Sequence, residues 1–151
     1  MRRGALVRLS IAAAAASFAA CTRSTEPPIN FGAIITVAFA GYPADTMHIF
    51  VTRAATIEAA QAYVATRRGP KLIAGTIVRG AGLDERYPFQ FLAPTVDIID
   101  AAVEACDGPP MHTDTAVNDF FEHSLGSRNA PTALWCPWSS YPVAVTVLGP
   151  D

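Results

Sequence analysis

Residues 1–21 carry the feature that most limits what this chain can become. Arg2, Arg3 and Arg8 make a positive leader, Leu9 to Ala16 a short apolar core, and the small residues Ala19 and Ala20 stand directly before Cys21. This order is that of a bacterial lipoprotein signal. It predicts a signal peptide over residues 1–20, acyl chains on Cys21, a tether over residues 21–29, and a single domain over residues 30–151 outside the cytoplasm. Two other readings exist. Phe18 stands where leucine is usual, which leaves ordinary secretion by cleavage after Ala19. An apolar run of about a dozen residues falls short of the ~20 that span a bilayer, so an uncleaved anchor ranks last.

Export fixes the chemistry of the rest. Three of the eleven basic residues leave with the signal, so eight face thirteen acidic ones, a net of about −5. Such a domain has no electrostatic footprint for nucleic acid. The remaining length, about 130 residues, suits one compact core. Cys106 and Cys136 remain as an even pair in an oxidising space, which favours a disulfide over two separate buried thiols. A bridge would close a loop of about thirty residues, worth roughly 3.5 to 4 kcal/mol in the chain-entropy account.

The periodicities predict an α+β domain: a mainly antiparallel sheet of about five or six strands with two helices on one face. Thr22 to Pro28 reads as tether. Phe31 to Phe39 alternates as a strand, Gly41 to Asp45 turns, and Met47 to Val51 returns as its hairpin partner. Thr56 is placed to cap a helix with Ile57, Ala60, Tyr63 and Val64 as its apolar stripe, stopped at Arg67 to Pro70. Leu72 to Val78 and the alternation of Tyr87, Phe89 and Phe91 read as strands. Val96 to Cys106 fits both a helical stripe and a strand, and its alanines lean it towards helix. Thr113 to Leu125 reads as the second helix, stopped by Gly126, and Val143 to Val147 as the closing strand.

Three blocks in the second half carry a resemblance: Tyr87 to Pro94, Val103 to Gly108, and the Trp135-Cys136-Pro137-Trp138-Ser139-Ser140 run. Over roughly Met47 to Val147 the chain resembles the N-terminal domain family of a slime-mould calmodulin-binding protein (BP seventy-four), which has plant and bacterial members. The resemblance implies a strand at Val96 to Cys106, and its two motif cysteines match Cys106 and Cys136. Where the family has a histidine or similar polar residue before an Asp-Pro turn, this chain has Leu92-Ala93-Pro94, so no chemistry is carried to that turn. Calmodulin binding is not carried over either, because an exported bacterial domain would not meet calmodulin.

No catalytic set stands out. His48 falls in a strand, His112 at a helix start, and His123 near that helix's end, where a cation suits the dipole. His112 and His123 would lie ~16 Å apart along the axis, too far to share an ion, and neither a metal nor another cofactor is expected. His112, Asp107 and Ser139 are the residues from which a small hydrolase could be assembled, without the spacing of a nucleophile elbow. On a strand, Glu104 and Asp107 would face opposite sides, which disfavours shared acid–base work. The better candidates are Trp135 and Trp138, which flank a proline and offer large rings either to a partner or to the core. The Gly80 to Asp84 loop, with Glu85 and Arg86, is a second candidate rim or simply a solvated loop. The expected role is a non-enzymatic binding or structural module at the bacterial envelope, held there by lipid on Cys21, with a protein or envelope component as partner.

Overall fold

The computed structural model describes residues 31–124 and 130–149. The signal, Cys21, the tether and the Leu125-Gly126 helix stop lie outside the described residues. The class is α+β, with seven strands, two helices and antiparallel pairing among the described residues. The strands divide between two sheets, of three and four strands, rather than forming one.

The first sheet begins with the hairpin β1 (Gly32–Phe39) and β2 (Tyr42–Val51). Its turn is shorter than the sequence implied. Gly41 takes a positive φ of 86°, which lets a two-residue connection suffice, and β2 starts at Tyr42 opposite Phe39. Pro43 lacks a donor but is tolerated because β2 is an edge strand. The closing strand β7 (Ser140–Leu148) pairs along the other side of β1. Ala33, Ile35, Val37 and Phe39 face the core; Phe31 lies before the strand and is exposed.

The helix α1 (Ala54–Thr66) starts two residues before the expected cap. Arg53 occupies the cap position without a side-chain bond, whereas Thr56 lies inside the first turn, fully buried. Its hydroxyl donates to the Val96 carbonyl at 2.9 Å. A buried hydroxyl gains more from that acceptor than from an exposed helix end. Arg67 ends the helix in the left-handed conformation, with its N–H donating to the Tyr63 carbonyl.

The second sheet is organised on β3 (Leu72–Arg79), which pairs with β4 (Phe89–Phe91), β5 (Asp97–Ile99) and β6 (Thr132–Trp135). β4 and β5 follow one another along β3, interrupted by a 3-10 turn at Ala93–Thr95. There the Thr95 hydroxyl accepts the Thr76 N–H, and the Leu92 N–H donates to the Thr76 carbonyl. The expected strand from Val96 to Cys106 is therefore cut to three residues. β3 begins just after Gly69-Pro70, so no backbone remains to pair with residues beyond Ile99, and Glu104–Cys106 coils into a 3-10 turn. The helical alternative for this segment fails for most of its length as well.

The second helix, α2 (Asp114–His123), is capped by Thr113, whose hydroxyl accepts the Ala116 N–H. Val117 and Phe121 face inward, and the Arg79 guanidinium covers the Phe121 ring at 4.0 Å. Trp135 joins the two sheets at the centre of the core, against Phe39, Phe89 and Phe91.

Candidate functional site

The two tryptophans have opposite environments. Trp135 continues the β6 alternation with Ala133 inward and is 0% exposed, so it belongs to the core and not to a recognition surface. Its indole Nε1 has no hydrogen-bond partner among the described residues. Trp138 lies past Pro137, outside the strand, and is 48% exposed. The expected two-tryptophan binding surface thus reduces to one.

Trp138 lies on a shallow open groove of ≈ 430 Å³, lined also by Tyr42, Asp107, Gly108, Pro109 and Ser139. Three restraints hold it. The Asp107 carboxylate accepts the Trp138 backbone N–H at 2.8 Å. The Cys106–Cys136 disulfide, with Cα atoms 5.2 Å apart, ties the two groove-forming segments together. The Cys136 N–H donates to the Cys106 carbonyl beside it. Gly108 packs directly over the core, where a side chain would press on the Phe120 ring and the Trp135 indole. Tyr42, 43% exposed at the start of β2, supplies the second ring. The sequence reading missed Tyr42 by placing it in a turn; an exposed aromatic at a hairpin tip was the available signal.

The residues of the hydrolase reading do not converge. Ser140 is buried, its hydroxyl donating to the Pro137 carbonyl and accepting the Ile73 N–H. Ser139 lines the groove, but no hydrogen bond joins it to His112. His112 instead lies 3.3 Å from the Asp45 carboxylate and packs at a tilt against the Tyr87 ring, with centroids 4.7 Å apart. Asp107 is occupied with Trp138. His123 contacts the Asp119 carbonyl on its own helix. Among the described residues no three histidine, cysteine or acidic side chains come together as metal ligands.

The Gly80 to Arg86 loop is a clamp on the edge of β2. Asp84, nearly buried, accepts the His48 backbone N–H at 3.3 Å, and His48 Nδ1 lies as close to the same oxygen. The Arg86 guanidinium forks onto both Asp84 oxygens, at 2.9 and 2.7 Å, and also donates to the Thr46 carbonyl. The Tyr87 hydroxyl donates to that carbonyl at 3.1 Å. Side chains here take the place of a neighbouring strand. Arg86 holds the Asp84 carboxyl far below the usual carboxylate range against the opposing effect of burial, and His48 adds to it. Burial, reinforced by the Asp45 charge, pushes the Tyr87 phenol up to about 12. Beneath the loop a cavity of ≈ 40 Å³ between β2 and β4 has room for a few waters, not for a ligand.

The family model of the BP seventy-four N-terminal domain matches residues 33–147, and the chain belongs to that family. No curated protein and no solved structure gave a match.

Proposed function

We propose that this chain is a lipid-anchored extracytoplasmic recognition module, non-enzymatic, which holds a protein or envelope component in the groove of Trp138 and Tyr42. The observation that carries the reading is the fixed, half-exposed Trp138. With its backbone held by the Asp107 carboxylate and the neighbouring disulfide, Trp138 has only its side-chain torsions to order when a partner covers it, which limits the cost of binding. Tyr42 and Pro109 extend the same apolar surface, and Asp107 and Ser139 supply polar groups at its rim.

The test is capture of envelope components by the full chain displayed on membranes, compared with Trp138→Ala and Tyr42→Ala. Trp138→Ala is expected to weaken capture by ~2 kcal/mol or more while leaving the melting temperature in place. Undiminished capture by the folded double variant would remove the groove as the binding site. His112→Ala is expected to leave capture within about threefold of the parent, because His112 neither lines the groove nor braces its rings.

A further inference from the structure

The three-stranded sheet presents two unlike faces. Ala33, Ile35 and Val37 of β1, with Met47, Ile49 and Val51 of β2, are buried in the core. On the opposite face Phe50, His48, Ala144, Thr146 and Leu148 are exposed, and Ile34, Thr36 and Ala38 are half-buried between them. That face changes character along its length. Toward the hairpin turn it carries Ala38, Thr46 and His48; toward the start of β1 it carries Ile34, Phe50 and Leu148. Phe50 and Leu148 are the large exposed side chains of this end, at 39% and 38%; Val147, opposite Ala33, lies on the other face, and Phe31 precedes the strand. Gly32 lies between Phe50 and Leu148. A side chain on Gly32 would run into the Phe50 ring, so its absence lets that ring lie flat across the strand.

Two further observations bear on what covers this end. Residues 31–34, 50–53 and 146–149 contain no carboxylate, although the exported chain is acidic; their one charge, Arg53, is paired with Asp97 at 2.9 Å. Asp151 lies outside the described residues. The chain also enters the domain here. Residues 22–30 separate Cys21 from Phe31, and nine residues reach at most about 30 Å when extended.

We infer that this apolar end of the sheet rests in the lipid interface, with Phe50 and Leu148 as the side chains that enter it. The inference rests on the lipid-anchor reading of Cys21. Acyl chains would hold the domain within the reach of the tether, so even a weak apolar contact is populated. With its neighbouring carboxylate, Asp97, neutralised by Arg53, this surface avoids the repulsion that the rest of the chain would meet at an anionic leaflet.

The test uses the full chain, processed in a bacterial envelope and reconstituted into vesicles of phosphatidylethanolamine and phosphatidylglycerol. Phe50→Trp with Trp138→Phe places a reporter in the face, leaving only buried Trp135 as background; Leu148→Trp is the second reporter should the first variant fold poorly. Mass spectrometry first reads the acylation of Cys21. Lipids brominated in the upper acyl chain are expected to cut the reporter's emission to roughly half or less, since interfacial apolar groups sit just below the headgroups. Adding Leu148→Ser to the Phe50→Trp reporter is expected to reduce that quenching while the chain stays acylated and bound. An acylated, vesicle-bound chain with an unquenched reporter overturns the seating and leaves the anchor standing. A mature chain of unmodified mass overturns both. An unquenched, blue-shifted reporter in particles of two chains assigns the face to a second copy and also overturns the proposal.

Discussion

Trp135 and Trp138 are three residues apart, and Pro137 separates their roles. The strand before it keeps a period of two, which turns Trp135 inward with Ala133; past it the chain leaves the sheet and Trp138 is held from outside by Asp107. Trp135→Ala is expected to lower stability by ~3 to 5 kcal/mol, and Trp138→Ala by less than ~0.5, in urea unfolding. The sequence showed both rings but not this division, because the Pro-flanked pair was read as one unit. The Asp84 clamp was less legible still. Its partners Thr46, His48 and Arg86 come together only across the gap between strands, which no local pattern encodes. Its energetics are visible in pH. Asp84 titrates lower in the fold than in the open chain, so its stabilisation is present above about pH 4 and is lost as pH falls below that. Asp84→Asn should flatten this acid limb and cost ~1 to 3 kcal/mol at neutral pH. Tyr87 acts with the opposite sense. Its phenol titrates near 12 in the fold and near 10 when unfolded, so stability should fall as pH rises through that interval, and Tyr87→Phe should remove the slope.

At the scale of elements, local signals carried far where an element needs only its own sequence. The β1–β2 hairpin and both helices follow from apolar periodicity, Gly41 and the Gly69-Pro70 stop. They failed where a distant partner decides. Thr56 gives up a capping role for the Val96 carbonyl, and the segment from Val96 to Cys106 shortens because β3 offers nothing to pair with past Leu72. The disulfide follows from cysteine parity, and it staples that irregular segment to β6. Cys106→Ser with Cys136→Ser is expected to cost ~2 to 5 kcal/mol in denaturant unfolding. Because the same bridge joins the Asp107 and Trp138 segments, capture should fall by more than stability alone explains, even at temperatures where the double variant is fully folded.

For the whole molecule the lipid anchor is the primary expectation, and Cys21→Ala should move the chain from the membrane fraction to the soluble one on fractionation. Within the domain, β1 runs from the apolar end at Gly32 to the groove end at Phe39, where Tyr42 and Ser140 are its neighbours. Eight extended residues put roughly 25 Å between the two. A carpet of such molecules would hold every groove at one height and facing one way, free to drift sideways. A repetitive polymer lying across them could then be gripped at several points by sites too weak to hold it singly, so the strength of the hold would depend on how densely the surface is populated.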